Sequence, residues 1–358
     1  MPHLEERLEK DLGEIHNQVS KQAEMVEKAV GDAVHALQTG NRKLAYATVL
    51  NDLPINRAMR RIDRLCHQFI AVHLPSGRHL RLLSSVIRVN IELERIGDYA
   101  VTIARETVQL SRPLETRIAR EMDRIASETL LMLRQSIRAF NDLNADTAKS
   151  TMLLNQQMES DLNDVYAEIM SERDSNEIKE TLAIFVIFNQ LKRVADQAKN
   201  LCEDTVFAVT GDQKAPKRFK VLFIDEDNSG KSQMAEAIAR KNYPESGEYL
   251  SAGRQAAPAL NTNLAAFLED RGQDLSNIQP KALTDLTEHT LADQHVVVSL
   301  EGEVSLYLPK VPFHTTALEW DISPLPEAGD SQGYENLYRE LSLQIKDLME
   351  TLRGAGAS

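Results

Sequence analysis

LERIGDYAVTIARE at 93–106 and LKRVADQAKNLCED at 191–204 align without a gap, setting Leu93 against Leu191, Arg95 against Arg193, Asp98 against Asp196 and Ala100 against Ala198 at an offset of 98. Upstream, HALQTGNRKLA (35–45) lies against RAFNDLNADTA (138–148) at an offset of 103. A repeat of this kind restricts the architecture, because two copies of one supersecondary unit carry the same apolar face to be buried. Apolar residues recur at helical spacing from residue 4 to about 209, with breaks at Thr39-Gly40-Asn41, Leu74-Pro75-Ser76-Gly77, Ser111-Arg112-Pro113 and Asp142-Leu143-Asn144. The reading is six helices in two three-helix units, about 4–111 and 115–209. Long helices joined by short loops predict a pair of antiparallel bundles.

After Thr210-Gly211 the pattern changes. DQKAPKR holds a proline and no periodicity, and reads as a linker over 212–218. From Phe219, the β-branched runs VLFI (221–224), HVVVSL (295–300) and TTALEW (315–320) alternate with helical segments such as SQMAEAIARKNY and YENLYRELSLQIKDLMETL. That alternation predicts βαβ units around a parallel sheet over 219–354, so the fold class is multidomain, an all-α region over 1–211 followed by an α/β domain. Charge is uneven: residues 213–358 hold 14 Lys/Arg against 22 Asp/Glu, a net −8 of the −13 total, leaving −5 for the first 212. With that balance, and no basic patch expected to compensate it, nucleic acid is not an expected partner, since its dominant attraction is cationic neutralisation of phosphates.

On the helical half, Glu94 and Asp98 stand four apart and so share one face of a helix, and Asp98 is matched by Asp196 in the second copy. Carboxylates so paired can supply oxygen ligands to a cation. They can equally form a solvated or arginine-paired face, with Arg95 and Arg105 close by. LPSGRHLRLLSSVIRVNIELERIGDYAVTIA resembles the third helix of the PhoU family of phosphate-uptake regulators, and FNQLKRVADQAKNLCEDTVFAVTG resembles its duplicate, over about residues 10–211. The resemblance implies metal at the paired acidic motifs: a divalent or trivalent ion such as iron, zinc, magnesium or manganese, with Glu94, Asp98 and Asp196 as its residues. It also implies a homo-oligomer, such as a dimer. It further implies a cytoplasmic regulator that restrains uptake and the phosphate-starvation response through the ATPase of a phosphate ABC transporter and a membrane sensor kinase. Lys192 stands where the first copy has Glu94, placing a repulsive charge beside any cation at the second motif.

KVLFIDEDNSGKS (220–232) runs from an apolar strand into a loop and then a helix, a junction at which loop amides converge on anions. As a nucleotide P-loop, GxxxxGK[ST], it has Asp225 where the first glycine belongs and lacks a convincing Mg²⁺-binding strand, since HVVVSLEG offers only Glu301. More residues fit a second frame. VLFIDEDNSGKSQMAEAIAR, YLSAGRQ, EDRGQDLSNIQP, HVVVSL and LEWDISPLP together resemble the low-molecular-weight tyrosine phosphatase and arsenate reductase superfamily over about 219–352. What that resemblance implies is a loop CxxxxxR[ST], with a thiolate nucleophile, an arginine clamp and a late Asp-Pro general acid. Here the cysteine position is Asp225 and the arginine position Lys231, and Trp320-Asp321-Ile322-Ser323-Pro324 has no Asp directly before proline. The expectation is therefore a pseudo-phosphatase without catalytic residues, whose remnant anion loop comprises Asp225, Asn228, Ser229, Gly230, Lys231 and Ser232, with Asp225 paired to Lys231 across it. The alternatives are an active phosphatase or arsenate reductase-type enzyme, Asp225 as an Mg²⁺-dependent nucleophile among them, or a metal-binding scaffold.

Cys66 and Cys202 lie in helix-patterned segments without CxxC or Cys/His spacing, which fits a reduced cytosolic chain. The histidines lack ligand spacing and read as surface or capping residues, and Trp320 as core. The richest apolar run, TLAIFVIF at 181–188, is far short of the roughly 20 residues of a membrane span, so membrane contact is expected only through a partner.

Overall fold

A computed structural model describes residues 2–110, 116–155, 178–214, 216–273, 278–312, 315–354 and 357–358. It divides into two compact units, Met1–Lys214 and Ala215–Ser358. The expected break at Ser111-Arg112-Pro113 lies outside the described residues. Among the described residues no helix is long and apolar enough to cross a membrane.

The first unit contains α1 (Pro2–Thr39), α2 (Arg42–Leu50), α3 (Asp52–His73), α4 (Gly77–Gln109), α5 (Thr116–Asn141) and α6 (Ile178–Thr210), and residues 145–155 are helical as well. The repeat is preserved down to its turns. Gly40 and Leu143, equivalent at the offset of 103, both adopt the left-handed conformation (φ 64° and 48°) that closes the preceding helix. The next residue, Asn41 or Asn144, then caps the following helix, its side-chain oxygen accepting the amides of Leu44 (3.0 Å) and Thr147 (2.9 Å).

One expected helix is instead two. Pro54 has no N–H to donate to the Leu50 carbonyl, so the chain breaks at Asn51 and restarts at Asp52. The two bundles share one apolar core, which runs from Val19, Val26 and Val30 of α1 through Leu93 and Ile96 of α4 to Ile125 and Met132 of α5 and Phe188 and Leu191 of α6. A second correction concerns charge. α3 buries Ile55, Ile62, Cys66 and Phe69 and turns Arg57, Arg60, Arg61 and Arg64 outward, a basic face that had not been read from the sequence.

In the second unit β1 (Phe219–Asp225), β2 (Gly247–Gly253), β3 (Val296–Ser299) and β4 (Thr316–Glu319) form a parallel sheet in the order β2-β1-β3-β4. β2 escapes a β-branched pattern because Gly247, Ser251 and Gly253 interrupt it. Val221 and Phe223 face a layer made by α7 (Lys231–Asn242), α8 (Thr262–Asp270) and α10 (Ser331–Arg353). Leu222 and Ile224 face Leu283, Val304 and Leu308 from short turns, with α9 (Glu288–Ala292) contributing Leu291. β1 lies between β2 and β3, so the strand order reverses there. The carboxyl ends of β1 and β3 therefore flank the crevice where α/β sheets of this kind hold ligands.

Candidate functional site

The loop 226–230 leaves β1 at that crevice and leads into α7. Its carbonyls are turned outward: those of Asp225, Glu226, Asp227 and Ser229 accept the amides of Arg254 (3.1 Å), Gln255 (3.0 Å), Ala257 (2.9 Å) and Asn261 (3.1 Å). Asn228 is left-handed (φ 53°) and ties the turn together. Its Nδ2 donates to Ser232 Oγ (2.8 Å), and its Oδ1 accepts from Gln233 Nε2 and the Lys281 amide, both at 2.8 Å. The end of β2 crosses so closely that a Cβ on Gly253 would lie 2.6 Å from the Asn228 nitrogen, which only glycine allows.

With the carbonyls outward, two amides converge on the strand end and the Asp225 carboxylate meets them. It accepts from Asn228 N (2.7 Å) and Ser232 N (2.8 Å) and is 2% exposed. Burial pushes its pKa up, against the lowering effect of those hydrogen bonds, and the nearby Glu301 raises it further. The position that the phosphatase-like frame assigns to a thiol is thus occupied by a carboxylate bonded to the loop's own amides.

The expected Asp225–Lys231 pair does not form. Lys231, 6% exposed, reaches Glu301 at 2.9 Å, and the other Glu301 oxygen accepts from the Glu226 amide at 3.4 Å. Asp225 already has its donors, whereas Glu301, just past the end of β3, turns one carboxylate oxygen to the buried ammonium. Ser229 is drawn to Asp227 instead, its N and Oγ donating at 2.9 Å. Gly230 sits under Leu325, whose Cδ2 would be 3.0 Å from an added Cβ.

A cavity of about 500 Å³ opens elsewhere, at the opposite end of the strands, and its cations are committed: Lys220 to Asp293 (2.9 Å), Arg240 to Glu236 (2.5 Å), Arg218 to the Pro244 and Gly247 carbonyls.

In the helical unit Glu94 and Asp98 lie on α4 as the spacing required. Both carboxyls are pushed up by burial, Glu94 also by Asp98 and by Asp52, and Asp98 also by Asp52, which opens α3. Asp52 was not singled out from the sequence, because only the Pro54 break brings the start of α3 to α4. One Asp52 oxygen accepts from Asn56 (2.8 Å) and the other is buried without a donor. Such a field favours a cation. Yet among the described residues no group of three or more His, Cys, Asp or Glu is arranged to hold a metal ion. Asp196 lies on α6 and joins no such group.

A second polar cluster went unread. Arg88 of α4 pairs with Asp204 of α6, donates to Ser84 (2.8 Å) and lies over the Phe207 ring (5.0 Å). Burial, with Glu92 and Glu203 nearby, outweighs Arg88 and pushes the Asp204 carboxyl up to about 6. Only the packing of α4 along α6 joins the two. His73 also departs from a surface role, being 4% exposed with Nε2 at 2.8 Å from Asp11.

The chain matches the family described as PhoU domain twice, over 19–107 and 117–205, and the one described as low molecular weight phosphotyrosine protein phosphatase over 220–357. It is 30% identical over 212 residues to a phosphate-specific transport system accessory protein PhoU homolog of Pseudomonas putida, covering 58% of this chain and 83% of that one. The Escherichia coli K12 phosphate-specific transport system accessory protein PhoU is 25% identical over 211 residues, 58% of this chain and 88% of its own. The crystal structure of PhoU from Pseudomonas aeruginosa superposes with a TM-score of 0.54 at 30% identity, covering 57% of this chain and 99% of that one.

Proposed function

Since the chain belongs to the PhoU family, we propose that it regulates phosphate uptake and phosphate-starvation signalling, acting from the cytoplasm on a phosphate ABC transporter, through its ATPase, and on a membrane sensor kinase. The α/β unit is in this reading a pseudo-phosphatase that serves as a binding surface. One observation carries the second half: the Asp225 carboxylate fills the loop's amides while Lys231 is held by Glu301. An arriving phosphoryl group would find no thiolate and no free cationic clamp, and would meet like charge worth ~1–4 kcal/mol per contact near 4 Å. Glu94 and Asp98 are the residues that would take up a cation in such a protein.

The test of the regulatory role is deletion followed by measurement of phosphate uptake and starvation-gene expression at high and low phosphate; unchanged behaviour at both would sink it. The enzymatic alternative is tested with an aryl phosphate, with and without Mg²⁺, and turnover lost in Asp225→Asn would revive it. Elemental analysis of protein purified without chelator, beside Glu94→Ala/Asp98→Ala, tests the cation.

A further inference from the structure

The outer face of α3 is unlike the rest of the molecule. Arg57, Arg60, Arg61 and Arg64 stand at i, i+3, i+4 and i+7, so they form one row about 10 Å long at 1.5 Å per residue. All four are exposed. Arg61 is tied to Glu14 of α1 at 3.1 Å, whereas Arg57, Arg60 and Arg64 have no ion pair among the described residues. Leu53 precedes the row on the same face and Leu50 ends the helix before it, and the two are 66% and 76% exposed. This concentration of guanidinium groups belongs to a chain whose net charge is −13.

We infer that this face docks an acidic protein segment, presented by the transporter-side partner of the proposed regulatory function, on which the inference rests. Charge complementarity selects that occupant. Guanidinium forks bind carboxylates bidentately, and a row at helical spacing matches carboxylates repeated at the same spacing on a partner helix. Leu50 and Leu53 supply the apolar anchor that an interface of charges alone lacks. An anionic lipid surface would attract the same row, but it presents a continuous sheet of negative charge to a chain that is itself strongly negative. A protein segment engages only the row and leaves the acidic remainder of the chain outside the contact.

The experiment uses the full chain and the assembled phosphate transporter with its ATPase in detergent, at low and moderate salt. Arg57→Glu/Arg64→Glu is compared with Arg134→Glu/Arg138→Glu, an equal change of charge on α5, with far-ultraviolet circular dichroism as the check on folding. The expected result is salt-sensitive capture of the wild type, weakened roughly ten-fold or more by the α3 pair and far less by the α5 pair. Capture unchanged by the α3 pair overturns the inference and leaves the regulatory role standing. Absence of wild-type capture overturns the transporter reading and this inference with it. Binding instead to phosphatidylcholine–phosphatidylglycerol vesicles, lost in the α3 pair, assigns the face to lipid and overturns the protein occupant.

Discussion

Asp225→Ala removes the one carboxylate that satisfies the amides of Asn228 and Ser232, in a place 2% exposed where water does not readily replace it. Each buried donor left unmade costs about 1–3 kcal/mol. Against this stands the relief of a buried charge, whose cost is visible in the raised pKa of Asp225. The expected net loss is about 2–4 kcal/mol. Asp225→Asn keeps one acceptor oxygen but turns an amide N–H₂ toward a backbone donor, so about 1–3 kcal/mol is expected there. Asp227→Ala, which removes only the part-buried acceptor of Ser229, serves as the comparison, with a loss of about 1 kcal/mol or less.

The assay is urea unfolding of the full chain followed by fluorescence of Trp320. It is the sole tryptophan, packs 6.0 Å from Phe223 of β1, and so reports the α/β unit. If Asp225→Ala unfolds at the same urea concentration as wild type, or a higher one, with an unchanged slope, the carboxylate is not the loop's internal ligand and the account of the site fails.

Further outcomes follow from the same contacts. Glu301→Ala strands the buried Lys231 ammonium, but Glu301 is 40% exposed and screened, so the loss is about 1–2 kcal/mol; Lys231→Met in the same chain should recover most of it, read as a double-mutant cycle in urea. Asp204 has its folded pKa, about 6, above the ordinary 3.8, so its contribution to stability is full below about pH 4 and is lost as pH rises to about 6. That amounts to about 2–3 kcal/mol, and Asp204→Asn should flatten this part of the pH dependence of Tm. Asp52→Asn should lower the carboxyl pKa values of both Glu94 and Asp98 in an NMR titration, since Asp52 raises each. Cys66 and Cys202, buried and pushed up to about 12, should resist alkylation in the native state and react on unfolding.

What could be read in the sequence was whatever is set by local pattern. The repeat gave the helices of the first unit, because Gly40-Asn41 and Leu143-Asn144 close one helix and cap the next by contacts within a few residues. The frame of the anion loop was legible for the same reason: Asp225, Asn228 and Ser232 lie within eight residues and bond to one another. Partners drawn from distant strands and helices were not. Glu301 reaches Lys231 only because β3 pairs beside β1, and Asp204 reaches Arg88 only because α6 lies along α4. The arginine row was hidden differently, since its spacing is plain in NRAMRRIDRL but was averaged into a net charge of the opposite sign.

In the proposed pseudo-phosphatase reading, Asp225 stands where the phosphatase-like frame has a thiolate and Lys231 where it has a guanidinium, so the sign of each charge is kept. The outward carbonyls make this intelligible: with them committed to residues 254–261, the inward amides require a hydrogen-bond acceptor at the strand end whatever the loop does. A residue without an acceptor at 225 would therefore cost structure, and a carboxylate there keeps the loop closed without any nucleophile.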